Sequence, residues 1–186
     1  MTTYSVPPED HEGHSPEASP RLPGESGERI VLADLDNPVH ARAVVDLLDA
    51  YARDEMGGGA ALPMSTRDNL VSELRKRPHT LAILAFVDGE PAGLAICVEG
   101  FSTFACKPLL NVHDMMVAAK FRGRGLSRRL LARAEDAARA RGCCKLTLEV
   151  LEGNVVAQNA YRSFGFEGYE LDPRMGKAMF WQKVLE

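Results

Sequence analysis

Between Val117 and Ser127 the chain reads Val117-Ala-Ala-Lys-Phe-Arg122-Gly123-Arg124-Gly125-Leu126-Ser127, a run suited to holding an anion. Two glycines and a serine let the backbone approach a ligand closely. The amides of a helix opening here face outward with the positive end of its dipole. Lys120, Arg122, Arg124, Arg128, Arg129 and Arg133 add positive charge, and no acid stands between residues 118 and 134. Neither common phosphate loop fits. GxxxxGK[ST] is absent, and GxGxxG fails because Arg128 stands where its last glycine belongs. The same residues also fit a glycine turn leading into a helix with a solvated basic face.

A second constellation lies downstream. Asn154 and Tyr161 are seven residues apart, two helical turns, which puts both on one helix face roughly 10 Å apart. Gly165 ends that helix. A third lies on the apolar run LLNVHDMMV, which carries Asn111, His113 and Asp114. An acid or a histidine in such a strand needs a partner, a water or a role. Strict alternation along a strand allows only one of His113 and Asp114 to point to a given side of the sheet. Each of these residues also has a plain packing or hydrogen-bonding alternative.

The elements that must position these groups follow from hydrophobic spacing. Arg29–Ala33 reads as a strand, and Asn37-Pro38 opens a helix with Val44, Val45, Leu47, Leu48 and Tyr51 on its apolar side. The stretch from Met56 to Pro63, with three successive glycines, predicts a mobile loop. With Met56, Leu62 and Met64 it would form a partly apolar lid. Ser65–Asp68 is expected to cap a second helix that ends before Pro78. Thr80–Val87 and Ala92–Val98 form a hairpin around Asp88–Pro91, and Leu109–Val117 is a further strand. Gly125–Arg141 is a helix with Leu126, Leu130, Leu131, Ala134 and Ala138 on one stripe. Lys145–Leu151 is a strand, Asn154–Phe164 a helix, and Ala178–Val184 a last strand. The order β-α-α-β-β-β-α-β-α-β is a mixed α/β fold in which antiparallel strands give way to a strand–helix–strand crossover.

Composition limits the role. The chain has 186 residues, 45% hydrophobic and 26% charged, with a net charge of −4. That charge argues against a dedicated nucleic-acid or membrane-surface protein. No apolar run approaches the roughly eighteen residues of a membrane span, and the N-terminus has no signal-peptide pattern. Four cysteines without paired Cys/His spacing predict a cytoplasmic protein with reduced thiols and no metal. Residues 1–28 hold five of the eleven prolines and six acids against Arg21 alone. Such a tail buries too little apolar surface to fold. Removing its charge of −5 leaves residues 29–186 at about +1, with the positive charge gathered between Lys120 and Arg133. That distribution suits a multiply anionic small molecule better than a polyanion.

Arg122-Gly123-Arg124-Gly125-Leu126-Ser127 resembles the [QR]-x-x-G-x-[GA] loop of the GNAT superfamily of N-acetyltransferases. Asn154…Ala157…Tyr161…Gly165-Phe166 is similar to its N-x-x-A-x-x-x-Y-x-x-x-G-F signature. The departure is Ser127, where Gly or Ala is usual; serine is small and keeps the amide. The resemblance runs from about Arg29 to the C-terminus. It implies a mostly antiparallel sheet of about six to seven strands flanked by about four helices, and acetyl-CoA as cosubstrate without a metal. On this resemblance the backbone of Met116, Val117 and Ala118 would pair with the pantetheine amides. The amides of Arg122, Gly123, Arg124, Gly125, Leu126 and Ser127 would cradle the pyrophosphate. Asn154 would bond the pantetheine arm, and Tyr161 would protonate the departing thiolate. HDMMV is similar to the strand of the diamine and polyamine branch, which often carries Glu-Asp there, so His113 or Asp114 is the expected base. The expected acceptor is a small-molecule amine, with no nucleic acid or membrane partner and with a homodimer left open. A protein or peptide acceptor, a non-catalytic CoA sensor and a nucleic-acid-binding surface are the competing readings.

Overall fold

The computed structural model describes residues 27–170 and 172–185; most of the acidic tail expected from the sequence, residues 1–26, lies outside them. The regular elements are β1 (Glu28–Leu32), α1 (Pro38–Arg53), α2 (Met64–Arg75), β2 (Thr80–Val87), β3 (Glu90–Ser102), β4 (Lys107–Val117), α3 (Leu126–Ala140), β5 (Leu146–Leu148) and α4 (Val155–Phe164). β1 begins at Glu28, a residue counted with the tail on composition.

One sheet runs β1-β2-β3-β4-β5. Its first four strands are antiparallel neighbours, and β5 joins β4 in parallel after the α3 crossover. The β2–β3 hairpin turns on Asp88 (φ 49°) and Gly89 (φ 77°), the left-handed pair that a two-residue turn needs. Glu90 and Pro91, expected in the turn, already belong to β3.

Two apolar layers sandwich the sheet. On one face Ile83, Ala85, Ala95, Cys97, Leu110 and Val112 pack against Leu126, Leu130, Leu131, Ala134 and Ala138 of α3 and Tyr161 of α4. On the other, Ala82, Leu84, Phe86, Leu94 and Ile96 pack against Ala43, Val44 and Leu47 of α1. The middle strands are covered on both sides, which is why TLAILAFV reads as a continuous apolar run rather than an alternating one. Close contact with α3 depends on Gly93. A Cβ there would meet Leu130 Cδ1 and the Met116 carbonyl oxygen, each at 3.1 Å.

Local signals explain the helix ends. Asn37 caps α1 by accepting from the amides of Val39 (2.9 Å) and His40 (3.4 Å), with Pro38 in the first turn. α2 differs from expectation: it starts at Met64, and no side chain caps it. The Pro63 carbonyl already accepts from Thr66 and Arg67, so Ser65–Asp68 lie inside the helix.

Two strand expectations are corrected. β5 is three residues long rather than seven, because it pairs with β4 only at Leu110↔Leu146, Asn111↔Thr147 and Val112↔Leu148. The last strand, expected over 178–184, is absent. Met179, Phe180, Trp181 and Val184 are exposed, and residues 178–184 pair with no strand of the sheet; an apolar run without a partner strand does not hold extended structure. The sheet therefore has five strands rather than six or seven, with four α-helices among the described residues. No described helix is long and apolar enough to cross a membrane.

Candidate active site

The site begins where β4 and β5 part. Their pairing stops at Val112, and β4 continues to Val117 with its β5-facing edge open. Ala118 donates its amide to the Ala92 carbonyl (2.9 Å), so its backbone faces β3. Alternation then turns Met116 toward β3 as well and leaves Met115 and Val117 on the open edge. Of the expected trio Met116, Val117 and Ala118, Val117 has its backbone groups on the open edge, as does Met115, whereas those of Met116 and Ala118 face β3.

The same strand carries a β-bulge. Cys97 lies opposite Val112 and Ile96 opposite Asp114, which leaves His113 as the extra residue. The bulge resets the alternation. Leu110 and Val112 face α3, and so do Met115 and Val117 after it. Asp114, opposite Ile96, is turned to the α1 face. Strict alternation through residues 110–116 would have set Asp114 among the apolar side chains under α3. Burial raises its carboxyl above the usual range, opposed by the charge of His113. His113 itself is exposed.

Beyond Val117 the chain makes a short turn at Ala119–Phe121 and reaches α3 through two left-handed glycines, Gly123 (φ 78°) and Gly125 (φ 75°). These conformations suit glycine and leave the first amides of α3 facing out. No side chain caps α3, and no acid occupies its first turn. A multiply charged anion is the natural complement of such an end.

A cavity of about 370 Å³ joins this loop to the α1 face. Met116, Val117, Arg122, Gly123, Gly125, Leu126, Ser127, Asn154 and Tyr161 all line it, so the two motifs come together across about 35 residues of sequence. His113, Asp114, Ala118 and Arg124 are not among its walls. Asn154 is also the N-cap of α4. Its Oδ1 accepts from the Ala157 amide at 3.1 Å, which leaves the amide NH2 as the end free to meet a ligand. Tyr161 is 9% exposed and stands edge-on to Phe166, ring centres 6.0 Å apart. Burial pushes its phenol above the ordinary range, and the phenol of Tyr51 pushes it further. The group is thus a proton carrier at neutral pH.

Tyr51, Asp54 and Met56, from the end of α1 and the turn after it, form the opposite wall. Sequence reasoning had placed Tyr51 among packing residues and passed over Asp54. Their closeness to the large loop-rich Met56–Pro63 segment was the available signal. The Tyr51 phenol is raised by burial and then by the charges of Asp114 and Asp54, so both carboxylates bear on it. This half of the site is acidic, whereas the α3 end is electropositive.

The Met56–Pro63 segment is tied down, contrary to the expected mobile lid. Asp54 Oδ1 accepts from the Met56 amide (3.0 Å), and the Asp54 carbonyl accepts from Gly57 (2.8 Å) and Gly59 (3.1 Å). Asp49, 8% exposed, accepts from the Leu62 amide and from Arg53 Nε, both at 2.9 Å. Gly57 lies so close to α1 that a Cβ would fall 1.9 Å from the Tyr51 carbonyl oxygen.

The basic cluster is less free than its sequence indicates. Lys120 pairs with Glu90, Arg129 with Glu28, and Arg124 with Glu28 at 3.1 Å. Arg122 donates from Nε to the Val117 carbonyl (3.1 Å) and from its terminal nitrogen to Asp54 Oδ2 (2.7 Å). Arg128 and Arg133 make no ion pair among the described residues. The four cysteines are free thiols, and burial pushes that of Cys97 to about 12. Glu149 accepts from Asn111 Nδ2 at 3.2 Å.

Comparison with known proteins gives the same picture. The model of the Acetyltransferase (GNAT) family matches residues 42–166. A streptothricin acetyltransferase of Streptomyces lavendulae is 41% identical over 85 residues, 46% of this chain and 43% of that protein. The chain thus aligns with less than half the length of that relative. A thialysine N-epsilon-acetyltransferase of Caenorhabditis elegans is 28% identical over 120 residues, 63% of this chain and 71% of that protein. Among solved structures, AAC(6')-Iy in complex with the bisubstrate analogue CoA-S-monomethyl-acetylneamine shares the fold. Its TM-score is 0.68 at 20% identity, over 86% of this chain and 100% of that one.

Proposed function

The chain belongs to the Acetyltransferase (GNAT) family, and on that premise we propose that it transfers an acetyl group from acetyl-CoA directly to the amine of a small molecule. The observation that carries this is the single cavity joining the uncapped start of α3, the open edge of β4 and the buried Tyr161 phenol. Residues 29–186 carry the chemistry. Four free thiols fit a cytoplasmic setting.

The residues fit the cosubstrate without strain. The amides following Gly123 and Gly125 meet the pyrophosphate, and Arg122 adds charge to them. Val117 and Met115 offer backbone groups to the amides of the arm, and the Asn154 NH2 donates to it. Acetyl-CoA supplies the activated acyl group. A lysine-like amine with a pKa of ~10.4 is about one part in two thousand neutral at pH 7, a handicap of roughly 4–5 kcal/mol. A base must remove its proton. Asp114 fits this better than His113, because it faces Tyr51 from within the sheet and its raised carboxyl binds a proton more readily than an ordinary one. Asp114 lies outside the cavity walls, so the proton would reach it by way of the Tyr51 phenol, which lines them. Tyr161 then gives its proton to the leaving sulfur, a need made modest by a thiol pKa of about 8.5. The Asp54 carboxylate on the wall, with the charge of Asp114 bearing on Tyr51 from outside the cavity, favours a cationic acceptor.

The test is release of CoA thiol from acetyl-CoA with a panel containing thialysine, streptothricin and unstructured lysine peptides. Turnover on a small amine and not on peptides supports the proposal. Turnover on peptides alone moves the acceptor to a protein, and CoA binding without turnover on any amine makes the chain a sensor.

A further inference from the structure

Arg122 stands at the junction of the two halves of the cavity with both ends of its guanidinium engaged. Nε donates to the Val117 carbonyl, a group on the open edge of β4, and the terminal nitrogen donates to Asp54 Oδ2. Asp54 divides its oxygens in turn. Oδ1 holds the Met56 amide at 3.0 Å and so fixes the turn after α1, while Oδ2 is given to Arg122 alone. The arginine therefore covers the carbonyl that the cosubstrate arm needs and neutralises the carboxylate that lines the acceptor wall. Its donors to Val117 and Asp54 are not available to a pyrophosphate while these bonds are made.

We propose that Arg122 is a latch that couples the two substrates: engagement by the pyrophosphate draws it off Val117 and Asp54, and Asp54 Oδ2 is uncovered for the acceptor's cation only when the cosubstrate is seated. The proposal rests on the acetyl-CoA reading of the loop and adds the order of events. Asp54 becomes a specificity-determining residue that is masked in the free enzyme. An amine arriving first meets a paired carboxylate. An amine arriving second meets a bare one, held in place by its unbroken bond to Met56. By linkage, the factor by which the cosubstrate tightens the amine is the factor by which the amine tightens the cosubstrate. Asp54 is the wall carboxylate paired with a loop arginine among the described residues.

Asp54→Asn isolates the latch, because asparagine keeps an Oδ1 acceptor for Met56 and puts an uncharged NH2 donor in place of the Oδ2 that accepts from Arg122. CoA binding is measured by calorimetry on the full chain for wild type, Asp54→Asn and Arg122→Gln, and thialysine binding is measured with and without saturating CoA. An exposed ion pair competing for Arg122 predicts that Asp54→Asn binds CoA about two- to five-fold more tightly. Wild type should bind thialysine more tightly in the presence of CoA, and Asp54→Asn should lose that difference. Arg122→Gln should weaken CoA. If Asp54→Asn leaves CoA affinity unchanged or weakens it while Arg122→Gln weakens it, the latch is overturned and the cosubstrate site stands. If Arg122→Gln binds CoA as wild type does, Arg122 has no part in the cosubstrate site and the latch is overturned while the site stands; wild type that binds no CoA would overturn the acetyl-CoA reading itself.

Discussion

Gly57→Ala is the sharpest probe of how the acceptor wall is built. The added Cβ would lie 1.9 Å from the Tyr51 carbonyl oxygen and 2.7 Å from its carbonyl carbon, both backbone atoms of α1. Reaching 3.0 Å, the closest approach a Cβ tolerates, requires the turn to move by about 1 Å. Overpacking of this kind costs typically about 1–3 kcal/mol, or about 2–12 °C in Tm for a domain of this size. The strain falls on the bonds that hold the turn, Gly57 and Gly59 to the Asp54 carbonyl and Leu62 to Asp49. Asp54 and Met56 move with it, and a displacement near 1 Å in a positioning group can cost on the order of 100-fold in rate. Thermal melting combined with thiol-release kinetics should therefore show a lower Tm and kcat/KM for the amine reduced about 10- to 100-fold. Gly59→Ala is the control. It has a left-handed φ of 75° but nothing within 4 Å, so it carries only the conformational cost of about 1–2 kcal/mol. Gly57→Ala with wild-type Tm and amine kinetics, or indistinguishable from Gly59→Ala, would refute the close approach.

On the proposed role of the phenol as acid to the leaving thiolate, Tyr161→Phe should lower kcat about 10- to 100-fold with the acetyl-CoA Kd unchanged. Because burial and then Tyr51 raise its pKa, the pH–rate profile of the wild type should show no loss from Tyr161 ionisation below the ordinary tyrosine range of about 10. On the proposed reading, in which the Ser127 amide meets the pyrophosphate, Ser127→Ala should change CoA affinity by less than about three-fold. Gly125→Ala, forced to a φ of 75°, should weaken CoA more. For Asp49, burial raises the carboxyl, but bonds from Arg53 and the Leu62 amide with the charges of Arg53 and Arg67 outweigh it and leave the pKa lowered. A depressed folded pKa contributes stability above the unfolded value of about 3.9, lost as pH falls through the folded value. Asp49→Asn should thus be less stable at pH 7 by about 0.5–1.5 kcal/mol and show a shallower loss of Tm below about pH 4 in melts across pH.

The parts of the fold written in short-range signals were legible. Asn37-Pro38 starts α1, the stripe from Leu126 to Ala138 sets α3 against the sheet, and the spacing from Asn154 to Tyr161 puts a cap and a buried phenol on one helix. What escaped depends on partners far along the chain. The bulge at His113 leaves no mark in a run of apolar residues, yet it decides that Asp114 faces α1. Tyr51 has the periodicity of a packing residue and becomes a wall of the site only because α1 ends beside β4. The arginines look like an unopposed cluster because their acids, Glu28, Asp54 and Glu90, stand 30 to 101 residues away. The apolar run after 178 reads as a strand, but which edge such a run pairs with, or whether it pairs at all, is not written in its own residues.

The most direct test is mass spectrometry of an amine incubated with acetyl-CoA and the intact chain, with Tyr161→Phe in parallel. The expected result is one acetyl group on the amine for each CoA released, at a rate sharply reduced in the variant. CoA released without acetylated amine, or no release by a folded protein that binds CoA, would contradict direct acetyl transfer at the opening between β4 and β5.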